Sequence, residues 1–161
     1  MNAEQYNKCV DMFSDSIYRY VLKLLRNVEQ AQDCVQECFM KLWERHTDVT
    51  PEKAKAYLFT SAHHIVIDIA RHEKHRLKFL QQLPDRPSAP PTHPDLQQLL
   101  SSLIDKLPEA QRSVLLLRDY EGYSYEEIAE ITNLSPAQVK VYIFRARLFM
   151  KERLVSIDAV I

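Results

Sequence analysis

Ser124-Tyr125-Glu126-Glu127-Ile128-Ala129-Glu130-Ile131-Thr132-Asn133-Leu134-Ser135-Pro136-Ala137-Gln138-Val139-Lys140-Val141-Tyr142-Ile143-Phe144-Arg145-Ala146-Arg147 is the stretch that decides the fold. Ser124 and Glu127 form S-x-x-E, a capping box ahead of Ile128, Ala129 and Ile131. Ser135 and Gln138 repeat the device as S-x-x-Q, with Pro136 in the first turn of the next helix. Ala129 is small where two helices must cross closely, and Asn133, four residues on, tolerates the positive φ that a tight turn needs. Val139 follows at a spacing that packs the second helix onto the first. This is the spacing of a helix-turn-helix.

Charge agrees with that reading. Residues 136–153 hold five cations (Lys140, Arg145, Arg147, Lys151, Arg153) against Glu152, while 119–130 hold five anions and no cation. The whole chain carries a net charge of −1, so a polarised domain sits inside a neutral protein. Upstream of the motif, Leu96, Leu99, Leu100, Leu103 and Ile104 predict one short helix. Pro108 opens another, which ends near Gly122 as a left-handed stop.

The N-terminal half has the same helical period. Val10, Phe13, Ile17, Val21 and Leu24 make one stripe, and Ala31, Val35, Cys38, Phe39 and Leu42 a second. A third helix starts at Thr50-Pro51, runs through Tyr57, Leu58, Ala62, Ile65 and Ile69, and ends in a basic segment at 71–78. Between the halves, residues 83–94 hold five of the eight prolines and cannot form a long helix. The expectation is therefore an all-α protein of two domains, 1–80 and 96–161, joined by a flexible linker over 81–95.

One glycine in 161 residues removes glycine-cradled nucleotide sites and disfavours hairpin-rich β folds. No apolar run reaches the ~18 residues of a membrane span. Three cysteines (Cys9, Cys34, Cys38) with no secretory signal point to a reducing cytoplasm, and Cys34 and Cys38 fall on a core face. His64 with Asp68, and His72 with His75, share helix faces but lack a third ligand, so neither a metal nor a cofactor is expected. Hydrolase signatures are absent too, and no enzymatic activity is expected.

Two segments in order resemble bacterial sigma factors. Ala31-Gln32-Asp33-Cys34-Val35-Gln36-Glu37-Cys38-Phe39-Met40-Lys41-Leu42-Trp43 is similar to their A-x-D-x-V-Q-E-x-F-x-x-L-W segment. Leu107-Pro108-Glu109 with Arg112, followed by 123–147, is similar to the L-P-x-x-x-R and helix-turn-helix segments of their C-terminal domain. The length and the Pro-rich connector resemble the extracytoplasmic-function (ECF) class.

The resemblance implies a subunit that docks on core RNA polymerase, reads the −35 and −10 promoter elements and helps melt the duplex. It implies polymerase contacts, on the β′ coiled coil, at Asp33, Gln36, Glu37, Met40 and Trp43, with the β flap as a second docking point. The loop His46, Thr47, Asp48, Val49, Thr50 and Lys53 matches the segment that captures a flipped −10 base. Lys55, Tyr57, His63, His64, Arg71, Lys74 and Arg76 match the border of melted single strand, where cations and aromatics suit phosphate and base. Relatives often carry Arg-Asn at His63-His64, and two imidazoles there make contact with DNA pH-sensitive.

At the −35 element the resemblance implies Ser135, Gln138, Lys140, Val141, Tyr142, Phe144, Arg145 and Arg147. Val141 and Tyr142 stand where relatives often have Ser and Arg, which favours apolar contact with thymine methyl groups. An anti-sigma factor is a further partner that relatives commonly have. A free-standing helix-turn-helix regulator would explain the second domain alone, and would form a homodimer that binds its operator without polymerase.

Overall fold

The structure, a computed structural model, describes residues 1–80 and 96–158; the expected linker 81–95 lies outside the described residues. Seven α-helices run in order α1 (Ala3–Leu25), α2 (Val28–Glu44), α3 (Pro51–Leu80), α4 (Leu96–Asp105), α5 (Glu109–Leu115), α6 (Tyr125–Thr132) and α7 (Pro136–Asp158), with no strand among the described residues. The chain is all-α.

Local chemistry sets most boundaries. Asn2 and Gln5 close a capping box on α1, and the Asn27 side chain accepts from the Gln30 amide at the start of α2. Arg26 ends α1 in the left-handed region at φ 57°, so the chain reverses there without glycine. Both expected boxes form in the second half: Ser124 with Glu127, and Ser135 with Gln138, each by reciprocal backbone–side-chain bonds of 3.0–3.2 Å. Asn133 takes φ 59° in the turn between α6 and α7.

The exit from α5 differs from the expected simple stop. Residues Leu116–Tyr120 widen into a π turn, in which the Glu121 amide donates to the Leu116 carbonyl, five residues back, at 3.1 Å. Gly122 follows at φ 73°; no atom crowds a Cβ there, so its backbone angle alone calls for glycine. The L-P-x-x-x-R segment also has a local reason: Arg112 donates to the carbonyls of Asp105 and Leu107, both at 3.0 Å, and satisfies the open C-terminal end of α4.

Helices α1, α2 and α3 enclose Ile17, Val21, Ala31, Cys38, Leu42, Leu58 and Ala62, all buried. Cys9, Cys34 and Cys38 are buried free thiols, as their apolar stripes predict. Helices α4 to α7 enclose Leu116, Leu117, Ile128, Ile131, Val139, Ile143 and Ala146. The two lobes also pack on each other, chiefly α3 against α6, and their buried residues form one continuous core. At the seam, the Phe59 ring lies 5.8 Å from Tyr20 of its own lobe and 5.0 Å from Tyr123 of the other.

Candidate nucleic-acid interface

The face of α2 opposite its core stripe carries Asp33, Gln36, Glu37 and Met40, all exposed. Positions i, i+3, i+4 and i+7 lie above one another on a helix, so the four make one strip. Glu37 pairs with Lys41 at 3.3 Å across an exposed i,i+4 step, which holds the carboxylate in place with little net stabilisation. Trp43 closes the strip. It is half exposed, meets the Tyr6 ring edge-on at 5.0 Å, and is stacked by His46 at 4.3 Å.

After α2 the chain makes two tight turns before α3. Amides of Asp48 and Val49 both donate to the Arg45 carbonyl at 3.0 Å. Thr47, Asp48, Thr50 and Lys53 face solvent, whereas His46 is half-buried against Trp43. Val49 does not fit the expectation of a base contact: it is buried and pins the loop to the core, because an isopropyl group gains more from burial than from a wet loop tip.

Along α3, His64, Arg71, Lys74 and Arg76 are exposed, and Arg76 is loosely paired with Glu73 at 3.9 Å. Tyr57 is half-buried and its hydroxyl donates to the Lys41 carbonyl at 3.4 Å. Two members of the expected single-strand set are engaged elsewhere. Lys55 sits over the Tyr123 ring at 4.3 Å. His63 is buried at 5% exposure, with Nδ1 3.2 Å from the Tyr20 hydroxyl. Burial, with His64 adjacent, pushes its imidazole down to about 4 from an ordinary 6.5. His63 is therefore neutral and covered in this arrangement, not a DNA contact, and the expected pair of imidazoles reduces to His64.

Helix α7 is finished differently. Val139, Ile143 and Ala146 form its buried stripe, and Lys140, Val141, Phe144 and Arg145 stand in solvent. Lys140 and Arg145 have no ion pair among the described residues. Ser135 and Gln138 are exposed but spend their hydrogen bonds on each other's backbone. Tyr142 is half-buried. Arg147 departs from the expected free cation: its guanidinium grips Asp119 through both nitrogens, Nε–Oδ2 at 3.2 Å and a second contact from NH2 to Oδ1, and braces α7 on the π turn.

Sequence reasoning missed the residues that join the lobes. Arg26 donates to the Ser101 carbonyl at 2.6 Å and pairs with Asp105 at 2.9 Å. Lys23 lies 3.7 Å over the Tyr120 ring, and Arg19 approaches Glu121 at 3.6 Å. A signal was present in α3: Phe59, His63 and Val66 make a second stripe beside Leu58, Ala62, Ile65 and Ile69, more than a three-helix unit needs.

Among the described residues no three His, Cys, Asp or Glu side chains gather as a metal site, and no helix is long and apolar enough to cross a membrane. What the molecule does offer is an exposed basic helix of a helix-turn-helix, a second basic helix preceded by a solvent-facing loop, and a polar strip on α2. That combination defines a helical DNA-binding protein with a protein-docking face. Residues 9–76 match the family model for sigma-70 region 2, and residues 97–150 that for sigma-70 region 4. The chain belongs to the sigma-70 family of RNA polymerase sigma factors, within the extracytoplasmic-function class.

Its relatives include the ECF RNA polymerase sigma factor SigM of Bacillus subtilis (strain 168), 27% identical over 145 residues spanning 87% of this chain and 89% of that one. The ferric citrate uptake sigma factor FecI of Escherichia coli (strain K12) is 28% identical over 134 residues, 79% of this chain and 78% of the other. Among solved structures, the sigma factor RpoE in complex with the anti-sigma factor NepR from Bartonella quintana superposes with a TM-score of 0.78 at 22% identity, covering 94% of this chain and 98% of that one. CnrH in complex with the cytosolic domain of CnrY gives 0.71 at 22% identity, covering 96% and 90%. As a sigma factor the protein is a transcription initiation factor and not an enzyme, and a free-standing regulator is not favoured.

Proposed function

We propose that the two lobes divide promoter recognition between them. Residues 1–80 dock on core polymerase, read the −10 element and border the melted strand; residues 96–161 read the −35 duplex. The observation that carries this reading is the pairing, in one chain, of the α2 strip with the free outer face of α7, within the two family segments.

Docking uses Asp33, Gln36, Glu37, Met40 and Trp43 against the β′ coiled coil, with the β flap meeting the second lobe. A polar strip without core duty supports this, since such a strip has no structural reason to stay ordered beside an exposed methionine and tryptophan. At the −10 element Thr47, Asp48, Thr50 and Lys53 meet the strand, with His46 setting one wall of the loop. Beyond them Tyr57, His64, Arg71, Lys74 and Arg76 line the path of the single strand; Lys55 joins them once it leaves Tyr123. Melting then needs only binding energy: a flipped base held in the loop is a base removed from the duplex.

At the −35 element Lys140 and Arg145 supply phosphate and base-edge contacts. Val141 and Phe144, both exposed, present apolar surface to thymine methyl groups, and Ser135 and Gln138 lie at the positive end of α7 near the backbone. The family places such a protein in the cytoplasm with the polymerase. Because relatives in solved structures are bound to anti-sigma factors, an anti-sigma factor is a fitting partner here as well.

A pull-down with core RNA polymerase, followed by transcription from genomic fragments, tests the reading. Wild-type protein should co-elute with core enzyme and start transcripts. Glu37→Lys should lose about 1–3 kcal/mol of polymerase affinity, as a charge reversed in a partly desolvated contact does, with its thermal midpoint unchanged. Equal retention of both proteins would remove Glu37 from the interface, and retention of neither would end the sigma assignment of the α2 strip.

A further inference from the structure

The seam between the lobes covers residues that DNA needs. On the N-terminal side stand Arg19, Tyr20, Lys23 and Arg26 of α1 with Lys55, Phe59 and His63 of α3. On the C-terminal side stand Ser101, Asp105, Ser113, Tyr120, Glu121 and Tyr123. Cations of one side meet acids, carbonyls and aromatic faces of the other: Arg26 with Asp105 and Ser101, Arg19 with Glu121, Lys23 with Tyr120, Lys55 with Tyr123. The centre is aromatic, Phe59 on Tyr123.

The seam is also imperfect. Arg112 Nε, Ser113 Oγ and Glu121 Oε1 are the side-chain atoms buried without a hydrogen-bond partner among the described residues. All three belong to the C-terminal lobe where it faces the other. The Glu121 side chain is only 5% exposed. Ser113 lines a cleft of about 340 Å³ between the lobes together with His63, Arg71 and Glu109, and Arg112 lines another with Leu24 and Ile69. Buried polar atoms without partners disfavour the state that buries them, and water would satisfy all three once the lobes part. Closure is thus held by charge pairs and one aromatic contact, and opposed by orphaned polar groups. That balance belongs to a reversible interface, not to the interior of a single rigid body.

We propose that the packed lobes form an autoinhibitory latch: while Phe59 and His63 lie against the C-terminal lobe, α3 is closed to single-stranded DNA, whereas the outer face of α7 stays open to duplex. This rests on the reading of α3 as a single-strand contact. The asymmetry is geometric. Lys55 and His63 are consumed by the seam, but Lys140, Val141, Phe144 and Arg145 lie outside it. Docking on polymerase must therefore part the lobes before the −10 strand is read, and the exposed Asp33–Met40 strip is available to begin it.

Carbethoxylation of histidines by diethyl pyrocarbonate, read by mass spectrometry on the full chain at neutral pH, tests the latch. His63 in the wild type should react at least ~10-fold more slowly than its exposed neighbour His64, the contrast expected between covered and open side chains in slow-opening interfaces. Two variants should bring His63 to within about 3-fold of His64 with helix content unchanged. Glu121→Lys sets a third cation against Arg19 and Lys23. Tyr123→Ala removes the aromatic contact without changing charge, so that its binding of a mixed-sequence 12-nucleotide single strand, followed by anisotropy, reads access alone; it should tighten about 5- to 10-fold. If Tyr123→Ala loses helix content, Glu121→Lys is compared with Glu121→Lys/Lys55→Ala, which adds no net charge, in the same assay.

Adding core polymerase to the wild type should release His63. Equal reaction of His63 and His64 in free wild-type protein would overturn the latch, as would exposure of His63 with no gain in strand binding. Protection that persists in a polymerase complex would also overturn it. Co-elution in the same sample shows whether polymerase is bound, so a failed sigma assignment is told apart from a failed latch.

Discussion

Helices α3 and α7 are both basic and both offered to DNA, yet α7 buries one stripe and α3 buries two. In α7, Val139, Ile143 and Ala146 face the core while Lys140, Val141, Phe144 and Arg145 face water. In α3, Leu58, Ala62 and Ile65 serve its own lobe, and Phe59 and His63 lie at the seam with the other. A helix with one buried stripe can hold a rigid groove-reading surface at all times. One with two can display its second face only when a neighbour leaves.

The sharpest way to break this contrast is to truncate one phenyl ring on each helix. Phe59→Ala should cost about 3–5 kcal/mol in denaturant unfolding, the usual loss for a fully buried phenylalanine. Phe144→Ala, at 67% exposure, should stay within about 0.5 kcal/mol while changing duplex binding. Similar losses for the two would mean that α7 is packed as α3 is.

Acid should separate the helices next, because α7 contains no histidine. His63 titrates near 4 when folded and near 6.5 when unfolded. Its folded value is depressed, so the unfolded chain binds the proton first. Stability is full above about pH 6.5 and falls as the pH drops towards 4, by up to about 3 kcal/mol. The groups around it are the Tyr20 hydroxyl on α1, Glu109 and Ser113 on α5, and His64 and Arg71 on α3. His63→Gln should flatten that limb relative to wild type in urea titrations run at pH 7 and 4.5; parallel loss in both proteins would assign the acid sensitivity to other groups.

How far the sequence could be read follows from the same contrast. The helix-turn-helix was legible because its determinants are local: two capping boxes, a left-handed Asn133 and a small Ala129 lie within sixteen residues of one another. The solvent faces of α2 and α7 were legible because a single apolar period defines its own complement. Tyr123, Glu121 and the seam were not, since a contact such as Phe59–Tyr123 spans sixty-four positions and leaves no periodic trace in either segment. His63 and Lys55 were misplaced for that reason. Val49 and Arg147 illustrate a second limit, because loop polarity and helix charge describe a segment while burial and pairing are decided side chain by side chain.

A smaller effect tests whether the two helices read different elements. Arg145→Ala should weaken −35 duplex binding by about 1–3 kcal/mol with altered base preference if the guanidinium reads a base edge. A phosphate contact would instead weaken all sequences alike and lower the salt slope by about one. Exchanging 47–50 should shift −10 preference and spare −35 affinity. Crossed effects in electrophoretic-shift titrations would reverse the assignment of the lobes.

The smallest expected change lies at the head of α7. Ser135→Ala removes the acceptor for the Gln138 amide and should cost about 1 kcal/mol of stability in a thermal melt. No comparable loss is expected at the start of α5, where Pro108 makes no side-chain cap.

Trp43 gives this molecule an intrinsic optical address. It is the only tryptophan in the chain, and it stands half exposed on the α2 strip with an imidazole stacked 4.3 Å from its indole. Ultraviolet emission excited at the red edge of the tyrosine band therefore comes from that one position. A partner seated on the α2 strip changes the polarity around the indole and displaces its emission maximum, while duplex bound on α7 leaves the spectrum where it was. Assembly with the polymerase and engagement of the −35 element can thus be followed as distinct events in unlabelled protein.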